Sequence, residues 1–429
     1  MDEHSISTLR TGERVISEPL PGVRSVAIGF WIGSGARDET PSRAGVSHFI
    51  EHLLFKGSSR YSAQRIAESF DSFGSELNAA TSRETTLVYA RVPDERLATA
   101  VEIMADMIFS PQFADLDSER EVVLEEIAMV DDTPGDLVHD LLGEAVFGTH
   151  PLGRPVLGAA EVIRTVSRRS LAAFHRRAYG PENVVLAAAG SVDHGALTAL
   201  LERALDDRSP AAAAPPARRQ APPAQRARFR FDEKDTEQYH VCLGAPGIAR
   251  DDPRRFTLSL LDTILGGSAS SRLFQEIREK RGMADSVYSF TSQLSDSGEI
   301  GVYLGTREEN LVEALEITVA EIVALAAGEL RAGELERAKD NLKGRIMLSL
   351  ESTSSRMSRL GKSLVTGIEL IELDRVIAAI DAVGPEDVAE LAHALLAPER
   401  LSAAGIGPSE ERFLEAVGRV NPDLAARAA

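Results

Sequence analysis

At 429 residues the chain exceeds what one hydrophobic core usually organises, so two domains of about 200 residues are expected. With 43% hydrophobic and 26% charged residues it has the composition of a folded globular protein, which excludes the disordered and fibrous classes. A formal net charge of -19 is repelled by phosphate backbones and anionic lipids, which argues against a general nucleic-acid or membrane-surface binder and leaves basic or neutral peptides as easier partners.

In chain order, the start Met-Asp-Glu-His-Ser has neither a basic n-region nor an apolar h-region, and the lone cysteine, Cys242, can form no internal disulfide. No apolar stretch approaches the roughly 18 residues of a spanning helix. A cytoplasmic protein is expected. Val23 to Ile32 reads as a strand. The segment His48-Phe49-Ile50-Glu51-His52 is H-x-x-E-H, which on a helix projects both histidines from one face, about one turn apart. Two imidazoles so placed can share a zinc ion, which needs a third protein ligand from elsewhere and an open position for water. Glu51 is rotated by about 100° from His52, so it reaches the water instead of the metal and takes the position of a general base.

Ser62 to Phe73 and Glu119 to Met129 read as helices, and Val184 to Ala189 as a buried strand. Glu119 and Glu126 are seven residues apart, about two turns, so both carboxylates share a helix face. Such an acidic run is by itself a solvated face; beside the upstream motif it reads as one carboxylate on the metal and one orienting a ligand. Residues 209–228 hold five prolines and four arginines with no acidic residue, aromatic or large aliphatic, and read as a linker between blocks 1–208 and 229–429. The two blocks also echo each other. Val166 to Pro181 runs beside Val383 to Pro398, each followed by a strand reading AAG, and LFKGS (54–58) runs beside ILGGS (264–268). In that register His48, Glu51 and His52 face Leu258, Leu261 and Asp262, so only the first block can carry the metal chemistry.

The words HFIEHLLFKG, GSELNAATSRET, ERxVVLEEI, HPLGRPVLG, KDTEQYH and SSRLFQEIREKRG together resemble the pitrilysin-like peptidases with the inverted zinc motif, in family order and over nearly the whole chain. The length is most similar to the short branch, the bacterial relatives of the mitochondrial processing peptidase β subunit. The resemblance implies an α+β fold of two homologous α/β halves, each a mostly antiparallel sheet with helices on one face, facing each other as a clamshell that encloses a chamber for unfolded peptides. It implies one zinc per chain held by His48, His52 and Glu126, with Glu51 as general base and Glu119 as the carboxylate behind a ligand; the family's spacing prefers Glu126 over the neighbouring Glu125. Asn78, Ala79 and Thr81 fall on a strand edge to which an extended substrate adds, with turn chemistry before a strand as the alternative that stays open for Asn78. In the second block Arg278 fits a substrate-contacting arginine. The tyrosine expected seven residues on is Asp285, a departure that weakens oxyanion stabilisation, with Tyr288 three residues further able to act as donor or as core. The implied activity is a zinc metalloendopeptidase, working as a homodimer or as a heterodimer with a related chain. The alternative is a catalytically impaired relative serving as a peptide-binding or structural subunit.

Overall fold

The computed structural model describes residues 4–206, 208, 219–224 and 226–426, so residues 209–218 and 225 of the expected linker lie outside the described residues. Strands β1 (Ser5–Thr8), β2 (Arg14–Pro19), β3 (Ser25–Ile32), β4 (Glu76–Thr81), β5 (Thr86–Pro93) and β6 (Val184–Gly190) form a sheet in the order β1-β2-β6-β3-β5-β4. A second sheet contains β7 (Phe229–Glu233), β8 (Tyr239–Gly247), β9 (Ala284–Gln293), β10 (Gly298–Thr306) and β11 (Ser402–Gly407), ordered β7-β11-β8-β10-β9. With β1 set aside, both sheets run through one parallel pair and then three antiparallel pairs. The duplication expected from the weak AAG and LFKGS echoes is therefore present as topology, and the two α/β halves match the expected fold class.

Strand β3 (SVAIGFWI) shows why this sequence builds a sheet covered on both sides. Val26, Ile28, Phe30 and Ile32 alternate onto one face, where they pack into the larger core with Phe49, Ile50 and Leu53 of the helix Val46–Leu54. Ala27 and Trp31 point to the other face, where Ile16, Val185 and Ala187 join them against Met357 and Leu360 of the helix Thr353–Thr366. That approach is close enough to require glycine. A Cβ on Gly29 would lie 2.5 Å from Met357 Sδ, and one on Gly361 would lie 2.0 Å from Trp31 Nε1.

The second sheet is built the same way. Leu142 and Val146 of the helix Pro134–Phe147 pack with Cys242, Tyr303, Ala404 and Ile406. Gly29 pairs with Ala187, the residue before the run 188–190, and Gly244 pairs with Ser402, the residue before 403–405, so the two glycines are equivalent. A Cβ on Gly244 would meet Leu142 Cδ2 at 2.9 Å.

The helix over the second sheet thus comes from the first half of the sequence, and the helix over the first sheet comes from the second half. The described residues of 1–128, 155–219 and 347–372 form one compact unit, and those of 129–154, 220–346 and 373–426 form the other. The compact units are discontinuous in sequence, and each sheet carries a further helix on its smaller face. The cause lies in the smaller face of each sheet, whose glycine-centred apolar surface needs a cover. Among the described residues, no helix is long and apolar enough to cross a membrane.

Candidate metal centre

The motif helix Val46–Leu54 buries Val46, Phe49, Ile50, Leu53 and Leu54, which leaves His48, Glu51 and His52 on its less buried side. Its start is fixed by two features the sequence reading missed. Gly45 adopts a left-handed backbone with φ 93°, and a Cβ there would lie 2.4 Å from the Leu157 carbonyl oxygen. The buried Glu39 carboxylate accepts hydrogen bonds from the Gly45 and Ser47 N–H groups at 2.8 and 2.6 Å. It thereby satisfies orphan donors and places negative charge at the positive end of the helix. No capping spacing points to a residue six and eight positions away, so this contact has no local sequence signal.

The acidic helix Leu116–Asp131 follows two non-glycine residues with positive φ, Phe113 and Asp115. Arg120 docks it: the guanidinium donates to the Ile163 and Val166 carbonyl oxygens and lies 5.7 Å over the Phe49 ring of the motif helix. On the shared face, Glu119 Oε1 accepts a hydrogen bond from His52 Nδ1 at 2.9 Å, while Glu119 Oε2 meets Lys56 Nζ at 2.7 Å. Glu126 comes up to the two imidazoles, while Glu125, its competitor in sequence, is exposed.

Three donor atoms converge there. His48 Nε2 and His52 Nε2 are 3.2 Å apart, and Glu126 Oε2 lies 3.5 Å from the first and 3.3 Å from the second. Ligands placed tetrahedrally at about 2.0–2.1 Å from zinc stand roughly 3.3–3.4 Å apart, so the three atoms fit that ion. Their chemistry fits as well. Glu119 accepts a hydrogen bond from the Nδ1–H of His52, which keeps the proton on that nitrogen and leaves the Nε2 lone pair for a metal. Burial, aided by the adjacent His52, pushes His48 down to about 4, so it is neutral at pH 7 as a ligand must be.

Glu51 does not join this cluster. Thr81 Oγ1, at the end of edge strand β4, donates a hydrogen bond to Glu51 Oε2. Burial raises the Glu51 carboxyl above its ordinary range, and the Thr81 bond opposes part of that rise. On the same strand, Asn78 Oδ1 accepts from the Ala79 N–H at 2.8 Å.

A family model described as Insulinase (Peptidase family M16) matches residues 14–160, and one described as Peptidase M16 inactive domain matches residues 165–342. The chain belongs to peptidase family M16. It is 43% identical to an uncharacterized zinc protease of Streptomyces coelicolor over 96% of this chain and 92% of that one. It is 41% identical to the uncharacterized zinc protease YmxG of Bacillus subtilis over 94% and 98%. Its fold is shared with the crystal structure of a peptidase M16 inactive domain from Pseudomonas fluorescens (TM-score 0.88, 22% identity, 95% of this chain and 98% of that one). A protease from Helicobacter pylori gives the same TM-score at 23% identity, with 95% and 100% covered.

The second-half residues expected from the M16 pattern stand in plainer surroundings. Arg278, on the wide π-type turn Phe274–Glu279, lies 4.7 Å over the ring of Phe274 and 3.6 Å from Glu279, contacts typical of a surface side chain. Asp285 is the extra residue of a bulge, since Ser286 pairs with Gly305 and Ala284 with Thr306. Tyr288 shares a hydrogen bond with His139 Nε2 at 2.9 Å and stacks on Tyr303 with ring centres 4.9 Å apart, which places it in the packing under the helix Pro134–Phe147.

Proposed function

We propose that this M16 member is a zinc-dependent endopeptidase or oligopeptidase acting on unfolded peptides, with one zinc per chain. The observation that carries the reading is the spacing of 3.2, 3.3 and 3.5 Å among His48 Nε2, His52 Nε2 and Glu126 Oε2. These residues would hold the ion, and zinc when bound supplies Lewis-acid polarisation of the scissile carbonyl and of the attacking water. Glu51 takes the proton from that water on its carboxylate and delivers it to the leaving amine nitrogen, so no covalent intermediate is needed. Thr81 holds the Glu51 carboxylate through Oε2. Glu119 fixes the His52 ring. The edge of β4, which among the described residues pairs only with β5, offers main-chain groups to an extended substrate, which favours unfolded peptides over folded proteins. The chamber implied by the resemblance would act in the same direction. A cytoplasmic site of action belongs to the proposal too, consistent with Cys242 being a buried free thiol.

Metal analysis together with hydrolysis of a quenched fluorescent peptide tests the assignment. Glu51→Gln keeps zinc and loses nearly all turnover, because the amide keeps the shape but accepts no proton; Glu126→Gln and His52→Ala lose both. A Glu51→Gln protein empty of zinc, beside a Glu126→Gln protein that stays loaded and active, would reverse base and ligand. The second reading, a silent peptide-binding subunit, is favoured by Asp285 at the tyrosine position, and it predicts zinc retention and peptide binding without turnover in the unaltered protein.

A further inference from the structure

We propose that Lys56 is a positioning residue that locks the Glu119 carboxylate, and through it the His52 ring, into the orientation a metal requires. This rests on the zinc-site reading above. Lys56 lies four residues after His52, just past the helix end, where its N–H still bonds the Leu53 carbonyl oxygen and Gly57, at φ 112°, then turns the chain away. That placement sets the ammonium on the histidine face, where it meets Glu119 Oε2 at 2.7 Å while Oε1 meets His52 Nδ1 at 2.9 Å.

The Glu119 side chain is only 5% exposed and that of Lys56 34%, so solvent screens this pair less than it screens an ordinary surface ion pair. A carboxylate held at one oxygen can still turn about its last torsion. Held at both, it has one orientation, and so has the imidazole it faces. The need falls on His52 alone, because His48 Nδ1 is buried with no hydrogen-bond partner among the described residues. Each ring must still point its Nε2 at the same spot, and only His52 has a partner to aim it. The bland alternative is that Lys56 merely offsets the negative end of the motif helix, a role that would not depend on Glu119 and would leave the His52 tautomer untouched.

The test begins with metal-free protein, so that it does not depend on zinc binding. Imidazole nitrogen NMR shows His52 as a single Nδ1–H tautomer in the unaltered protein and in Lys56→Arg, and as a mixture in Lys56→Met. Zinc affinity by chelator competition falls about tenfold in Lys56→Met, stays within threefold in Lys56→Arg, and does not fall further when Lys56→Met is added to Glu119→Ala. Lys56→Gln, too short to reach Glu119, replaces the methionine variant if that one does not fold, with the same expectation. An unchanged tautomer and affinity in the variant lacking the ammonium overturns the proposal, as does an equal loss in the Glu119→Ala background. If the unaltered protein binds no zinc, the zinc-site reading fails while the tautomer measurement still decides the role of Lys56.

Discussion

Thr81 was expected at the substrate edge, yet its hydroxyl turns inward to Glu51. Thr81→Val should therefore lower kcat on the order of tenfold with little change in KM, and Thr81→Ser should stay near the parent, since the base is misplaced while the edge survives. A rise in KM at constant kcat would return Thr81 to the substrate side. His48 with His52 and Glu119 with Glu126 were legible in the sequence because i, i+4 and i, i+7 spacing puts each pair on one helix face, and Glu51 because it stands rotated from His52; the choice of Glu126 over Glu125 came from the resemblance. Glu39, Lys56 and Arg120 were not legible. Glu39 caps a helix from outside any capping window, Lys56 has a partner 63 residues away, and the Arg120 guanidinium docks against carbonyl oxygens that no pattern foretells.

Among elements, the start of the motif helix is the point where backbone and site meet. Gly45→Ala must adopt a positive φ and push against the Leu157 carbonyl, so we expect a loss of about 1–3 kcal/mol in urea denaturation, with reduced zinc affinity. Gly22, at φ 84° with nothing within 4 Å of a Cβ, is the control; Gly22→Ala should cost only the conformational part, about 1 kcal/mol. The helix Arg168–Ala178 adds a pH dependence. Burial pushes His175 down to about 4, with its Nε2 bonded to the Ile108 carbonyl oxygen at 2.8 Å. The folded value lies below the unfolded one near 6.5, so the unfolded chain binds more protons between those limits. The stability contribution is full above pH 6.5 and is lost as pH falls towards 4, by up to about 3 kcal/mol. Urea midpoints at pH 7 and 4.5 should therefore converge in His175→Gln; an equal drop in both proteins would assign the acid sensitivity elsewhere. The strands read at 23–32 and 184–189 and the helices read at 62–73 and 119–129 are present at nearly those bounds, because their apolar period records burial. The cap at Gly45 was not readable, because its cause is a carbonyl more than a hundred residues away.

Across the whole molecule, the exchanged helices make the halves interdependent. A 1–208 fragment lacks the Thr353–Thr366 helix and leaves Trp31, Ile16 and Val185 uncovered, so we expect it to aggregate alone and to become soluble on co-expression with 229–429. A soluble, cooperatively folding fragment would show the exchange to be dispensable. At position 285 the M16 pattern offers an oxyanion donor where this chain has a carboxylate. Asp285→Tyr should raise kcat about tenfold or more if that position serves the reaction, and unchanged kinetics would remove it from the site. The dimer expected from the resemblance is tested by light scattering; one mass near 46 kDa across concentrations would exclude it. The duplication was visible in sequence as two short echoes, whereas the exchange was invisible, because a helix's apolar stripe records that it is covered and not which sheet covers it.

The equivalent glycines should leave the exchange an evolutionary signature. Gly29 answers to Met357 and Gly244 to Leu142, residues separated by more than three hundred and by about one hundred positions. A larger side chain at either glycine is tolerable only if the opposing helix retreats in the same lineage, so substitutions at these pairs should covary among M16 relatives. A chimera joining residues 1–208 of this chain to the later half of YmxG should seat a foreign helix on each sheet, and its two mismatches should be relieved by restoring Thr353–Thr366 over the first sheet and replacing Pro134–Phe147 with the corresponding YmxG segment.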